Sequence, residues 1–258
     1  MDFTALHQQN TPLLMANVWD AGSARAAQDA GYQALGTSSA AIAAMLGYED
    51  GEALSFDELL YIVTRILSIT RLPVSVDVEA GFGQTADDIT ANLRRLAEAG
   101  VVGVNIEDSR VVAGVRQLED AVIFARRLHA IRQQLANENT HLFMNVRTDT
   151  FLMHHPLALQ ETLLRGRLYQ EAGADGLFVP CVTAHADIAT LAQEINLPLN
   201  VMCMPDLPTF DTLKKLGVSR ISMGNFIHSA MQSRLTHLLR NIRSQQSFAG
   251  VFVDESAR

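Results

Sequence analysis

No basic run interrupts the chain, and its formal net charge is −8. That balance argues against a nucleic-acid surface, which needs clustered lysine and arginine to neutralise phosphates. Only two cysteines occur, Cys181 and Cys203, so there is no disulfide framework and a reducing compartment is expected. No apolar run reaches the length of a membrane span, and MDFTALHQQNTPLLMAN lacks the basic start and apolar core of a secretory signal. A cytoplasmic protein without membrane or nucleic-acid partners is expected. Low-complexity linkers and a glycine-rich GxGxxG phosphate loop are also missing; NVWDAGSARAA stands where an open dinucleotide-binding sheet would need one.

What is present is an even alternation of short apolar and longer amphipathic segments. The expected strands are Leu13–Val18, Ala34–Thr37, Val74–Val78, Gly103–Ile106, Leu142–Val146, Gly176–Val179, Leu199–Met202 and Ser219–Ser222. Most are apolar throughout, as parallel strands buried on both faces should be. Helical patterning spans Phe56–Thr70, Thr85–Ala99, Leu118–Leu135 and Ala158–Ala172, with a last apolar-faced helix over Asn225–Ser244. Gly31, Gly100, Gly173 and Gly217 each close a helical run, where a residue free to take positive φ is favoured. The phrases DAGYQALGTSS, EAGVVGVNIED, EAGADGLFVP and KLGVSRISMG repeat one helix–glycine–strand unit. With 258 residues and 48% hydrophobic content, the economical solution is an α/β chain folded as one (β/α)8 TIM-type barrel over residues 1–258, ending in a helix and a short tail.

Chemistry in such a barrel sits at the C-terminal ends of its strands. There PVSVDVEAGFG places Asp77 and Glu79 two residues apart, hence on one face. Two converging carboxylates repel unless a cation lies between them, and oxygen ligands suit Mg²⁺, with Mn²⁺ an alternative. Glu107 shares the inward parity of Asn105, whereas its neighbour Asp108 is expected to cap the loop. Arg147 faces these acids from another strand end, an arrangement that fits a metal-bound anion, the alternative being a counter-ion for Asp149 on the rim. Ser38 and Ser39 precede a helical run and offer amides to a carboxylate. Asn200 completes the expected substrate-binding ring, and Trp19 either walls the pocket with it or packs against the first helix. Residues Ala41–Ser55, with Asp50, read as a long loop able to fold over a ligand. Cys181 reads as a small buried residue, and His154 and His155 as loop histidines.

The strings GTSSAAIAAMLGYEDG, SVDVEAGFG, VNIEDS and NVRTDTF closely resemble the isocitrate lyase/phosphoenolpyruvate mutase superfamily, over about Leu13 to Ala230. The resemblance implies a (β/α)8 barrel, usually tetrameric, in which Mg²⁺ binds an α-keto or α-hydroxy carboxylate next to a C–C or P–C bond; for this chain a homo-oligomer, dimer or tetramer, is expected. It implies Asp77 as direct metal ligand, with Asp50, Glu79 and Glu107 holding the metal's water shell. It also implies Ser38 and the Ser39 backbone as carboxylate ligands and Arg147 as the group that neutralises a developing oxyanion. The chain departs from the family at the loop after the fourth strand. EDSRVVAGVRQLED carries neither the KKCGH-like segment of the lyases nor the KxN-like element of the phosphonate enzymes, and FVPCVT lacks their later histidine. The expectation is therefore a lyase needing little beyond metal and arginine, such as an oxaloacetate-decarboxylase-like or methylisocitrate-lyase-like enzyme. The alternatives are phosphonopyruvate-type P–C chemistry and a non-catalytic 2-oxo acid binder.

Overall fold

The computed structural model describes residues 2–252; residues 253–258 of the expected tail lie outside the described residues. In chain order the strands are β1 (Leu13–Leu14), β2 (Ala16–Val18), β3 (Leu35–Thr37), β4 (Val74–Asp77), β5 (Gly103–Glu107), β6 (Ser109–Val112), β7 (Val115–Leu118), β8 (Phe143–Arg147), β9 (Gly176–Phe178), β10 (Leu199–Met202) and β11 (Val218–Ser222). All but β6 and β7 form one parallel sheet in the order β1-β11-β10-β9-β8-β5-β4-β3-β2. β1 pairs with β11 and β2 pairs with β3, so the two short pieces either side of Met15 are one strand that joins the ends of the sheet. The Met15 amide continues the ladder by donating to the Ile221 carbonyl at 2.9 Å. The result is a TIM-type barrel with eight strand positions, and the open doubly wound sheet is excluded.

The helices are α1 (Phe3–Leu6), α2 (Ala21–Asp29), α3 (Ser39–Leu46), α4 (Phe56–Leu67), α5 (Ala86–Ala99), α6 (Ala121–Asn137), α7 (Ala158–Glu171), α8 (His185–Glu194), α9 (Phe210–Lys215) and α10 (Phe226–Gln245), followed by a 3-10 turn at Ala249–Phe252. Their starts are written locally. Asp20, Ser55 and Thr85 each accept from the third helical amide, and the side chain at that position bonds back to the cap. The four expected stop glycines all have positive φ, Gly100 at +104° being the largest. Between sheet and helices lies one core built from Val74, Val76, Val104, Ile106, Met144, Val146 and their helical partners, all essentially inaccessible to water. No helix among the described residues is long and apolar enough to cross a membrane.

Two departures from expectation shape the site. The stretch Ala41–Ser55 is not loop throughout: α3 runs to Leu46 and ends on Gly47 in the left-handed region, leaving a shorter loop that carries Asp50. Its alanines and leucine are good helix formers that outweigh the turn residues further on. The second departure is the segment after β5, where β6 and β7 pair as an antiparallel hairpin, Ser109 opposite Leu118. Ala113 and Gly114 turn it with φ of +51° and +76°, the double positive φ of a tight two-residue hairpin. α6 accordingly starts at Ala121 rather than Leu118.

Candidate active site

β4 ends on Asp77, β5 on Glu107 and β8 on Arg147, and the parallel register places Asp77 beside Asn105 and Glu107 beside Arg147. These ends open into a cavity of about 450 Å³ lined by Ser38, Ser39, Asp50, Asp77, Arg116 and Arg147, with Leu152, Met153, Phe178 and Met202 as its apolar wall. A cavity of that size accommodates a small carboxylate.

Asp77 is held from one side only. Its Oδ2 accepts from the Ser39 hydroxyl at 2.8 Å and more weakly from the Ser39 amide at 3.4 Å, whereas its buried Oδ1 has no hydrogen-bond partner. Burial pushes the Asp77 carboxyl above the usual carboxylate range, against the pull of Arg147 and Ser39 and with help from Asp50. Glu79, with φ +49°, turns behind Asp77. Its Oε2 accepts from the Glu52 amide at 2.7 Å and its Oε1 is unpartnered. Burial, and then the charges of Asp50, Asp77, Glu107 and Glu52, push Glu79 up to about 9. Glu79 and Glu107 border a second, smaller cavity of about 170 Å³ next to the first.

Asp50, Asp77 and Glu107 thus sit close enough to raise the proton affinity of Glu79, and Asp50 adds to that of Asp77. Among the described residues, however, no three acidic, histidine or cysteine side chains converge tightly enough to chelate a metal directly. A buried carboxylate oxygen without a partner, backed by further acids at longer range, fits one direct oxygen ligand with the remaining acids reaching the ion through water. It does not fit an all-protein cage.

The arginines carry the opposite charge. Arg147 forms a fork on Asp149, with Nε to Oδ1 at 2.6 Å and Nη2 to Oδ2 at 3.2 Å, and its Nη1 lies 3.0 Å from Glu107 Oε2. The pairing with Asp149 is the rim counter-ion role that the sequence allows. It also fixes the guanidinium in the cavity wall, so the two roles coexist. Glu107 is gripped from the other side by Arg116, which also reaches Asp149 at 3.1 Å and Asp50 at 3.2 Å. Burial raises the proton affinity of Glu107 while Arg147 and Arg116 oppose it. Glu107 is therefore first of all the anchor of two arginines.

Three expected placements change. Trp19 does not line the cavity: it is buried edge-on against His228, with ring centres 4.9 Å apart, between the first strand and α10. Asn200 lies below the cavity floor, accepting from Asn145 at 3.0 Å and donating to Ser222 at 3.1 Å. Asp108 is not a loop cap but a fully buried anion paired with Arg165 at 2.9 Å and Tyr169 at 2.7 Å, which ties β5 to α7. Ser38 keeps both expected roles open, capping α3 through Ala41 while facing the cavity. The residue that sequence reasoning missed is Arg116. Its only sequence signal is RVVAGVRQL, β-branched residues about a two-residue turn, and Ala-Gly is a weaker hairpin signature than Asn-Gly.

Comparison with known proteins gives the following. The family model described as phosphoenolpyruvate phosphomutase matches residues 3–243. Oxaloacetate decarboxylase from Pseudomonas aeruginosa is 30% identical over 247 residues, covering 93% of this chain and 84% of that protein. 2-Methylisocitrate lyase from Escherichia coli is 27% identical over 260 residues, covering 98% and 86%. Among solved structures, a candidate phosphonomutase from Burkholderia cenocepacia J2315 superimposes with a TM-score of 0.86 at 39% identity, covering 92% of this chain and 97% of that one.

Proposed function

Because the chain belongs to the phosphoenolpyruvate phosphomutase family, an enzyme family of lyases and mutases, we propose that it is a Mg²⁺-dependent carbon–carbon lyase. Its substrate is a small 2-oxo or 2-hydroxy carboxylate, and the reaction passes through an enolate. The carrying observation is the pairing, across one cavity, of a half-satisfied buried carboxylate, Asp77, with a fixed guanidinium, Arg147.

Asp77 would hold the cation directly, with Asp50 and Glu79 on its water shell; Mn²⁺ satisfies the same donor chemistry. When bound, the cation supplies positive charge beside the carbonyl or hydroxyl oxygen of the substrate. Ser38 and the amides at the start of α3 bind the substrate carboxylate, since helix N-termini present free donors to anions. Arg147 stabilises negative charge as it develops on the substrate oxygen. Its fork on Asp149 means that little reorganisation is needed at that moment. In a 2-oxo acid with a 3-carboxylate, the C–C bond breaks, its electron pair moves into the enolate and CO₂ departs. The enolate then takes a proton from water. The wall of Leu152, Met153, Phe178 and Met202 lowers the local dielectric, which strengthens each of these interactions.

Decarboxylation is preferred within this class because the hairpin after β5 presents no cysteine, histidine or lysine as acid. Oxaloacetate is the first substrate on that ground, and the 30% identical Pseudomonas relative bears the matching name. Phosphonopyruvate chemistry is the second reading, favoured by the Burkholderia likeness. Product analysis separates them: oxaloacetate, 2-methylisocitrate and phosphonopyruvate are each incubated with Mg²⁺ or with chelator. Mg²⁺-dependent pyruvate from oxaloacetate is expected. Phosphoenolpyruvate formed from phosphonopyruvate would favour the second reading, and no turnover of any of them would overturn the lyase assignment.

A further inference from the structure

We propose that Arg116 is a specificity-determining residue that binds the distal carboxylate of a dicarboxylic substrate, exchanging Asp50 for it. The inference rests on the reading of the cavity as a 2-oxo or 2-hydroxy acid site.

Two cationic side chains line the cavity, and they are not equivalent. Arg147 comes from a barrel strand and spends its Nε and Nη2 on Asp149, which is fully buried. Arg116 comes from β7 of the hairpin, across the cavity mouth. Its Nη1 is committed to Glu107, to Ser109 at 2.8 Å and to Asp149 at 3.1 Å, so three buried acceptors set its position. Its Nη2 makes a single bond, 3.2 Å long, to Asp50, whose side chain is 46% exposed. One edge of the guanidinium is thus locked and the other is occupied by a partner that water already reaches. Surface pairs of this kind contribute little, and a better-placed carboxylate can replace one at small cost. An incoming carboxylate would restore the charge pairing of Nη2, and the released Asp50 remains beside Asp77, toward which its negative charge is already felt.

The hairpin is held in place for this. Gly51, next to Asp50, has φ +108° and packs so tightly on Val111 that an added Cβ would lie 2.5 Å from its side chain. Arg110 on β6 pairs with Glu119 and donates to the Gly83 carbonyl at 3.0 Å. The loop carrying Asp50 and the strand carrying Arg116 therefore form one packed unit over the cavity.

The test uses the matched acids malate and 2-hydroxybutyrate, which differ by a terminal carboxylate in place of a methyl. Binding to the whole protein is measured by calorimetry with and without Mn²⁺, for the wild type, Arg116→Gln and Arg116→Lys. The wild type is expected to bind malate at least about tenfold more tightly, in line with one charge-assisted contact. Arg116→Gln should bring the ratio close to one while moving the 2-hydroxybutyrate affinity by less than about threefold, with Arg116→Lys between. A purely structural role would weaken both acids alike. Equal weakening, an unchanged ratio, or no malate preference in the wild type would overturn the proposal. A malate preference that depends on Arg116 but ignores Mn²⁺ would uphold it and strike the metal reading instead.

Discussion

Arg220, on β11, is a buried cation with no carboxylate partner among the described residues, and replacing it by methionine should stabilise the protein. Its side chain is 1% exposed; Nη2 donates to Asn105 Oδ1 at 3.2 Å, and neither Nε nor Nη1 has a hydrogen-bond partner among the described residues. Burial lowers its pKa from the ordinary arginine range to about 10, with Asp77 pulling the other way. A drop of that size corresponds to about 3 kcal/mol against the charged folded state. The sign follows from linkage: the folded-state value lies below the unfolded one, so the cost is full at neutral pH. It fades only as the pH climbs through about 10, where the folded form releases its proton. Arg220→Met removes that cost and keeps an apolar stem of similar reach, but leaves Asn105 short of one donor, a loss of about 1 kcal/mol. A net gain of about 2 kcal/mol is expected at pH 7, which for a chain of this size raises Tm by about 4–8 °C. Urea denaturation with chelator at pH 7 and pH 10.5 measures it, and the gain should shrink at the higher pH. A variant less stable than wild type at pH 7 would refute the reasoning, because it would mean that the guanidinium is more than repaid where it lies. Because Arg220 sits within electrostatic reach of Asp77, ligand affinity is expected to fall as stability rises.

Arg147→Lys keeps a charge but loses the fork on Asp149. Steady-state kinetics should show kcat lower by about 10²-fold with Mn²⁺ affinity nearly unchanged, and the reverse pattern would contradict the enolate role. The outer face of α10 exposes Ile227, Met231, Leu235 and Leu239 at helical spacing, each about half accessible. Sedimentation equilibrium should therefore find a homo-oligomer that Leu235→Glu dissociates, and a monomeric wild type would refute this use of the helix.

The barrel was legible because its signals are local and redundant. Apolar runs such as Val74–Asp77 and Gly103–Glu107, punctuated by Gly100 or Gly173 after each helix, leave few alternatives. Strand ends were legible for the same reason, so Asp77, Glu107 and Arg147 could be placed at one rim before any contact was known. What was not legible depends on non-local choices. Trp19 sits at a strand end, yet its ring goes to His228 because α10 returns across the first strand, a packing that no local pattern encodes. Asn200 alternates into the barrel rather than up to the mouth, where Asn145 and Ser222 satisfy it. Arg116 was hidden because a hairpin with strands of four residues each has weak periodicity, and because its three acidic partners are 9, 33 and 66 residues away in sequence.

In the proposed function, Asp77 is the residue through which a divalent cation and a carboxylate ligand are held together. The most direct test titrates oxalate into the wild type and Asp77→Ala by calorimetry, each with Mn²⁺ and with chelator. Circular dichroism serves as a check that the barrel is intact. Oxalate is predicted to bind the wild type only with Mn²⁺ and to bind Asp77→Ala under neither condition. Oxalate binding that ignores Mn²⁺, or that survives the loss of Asp77 unchanged, would contradict the metal site and with it the proposed chemistry.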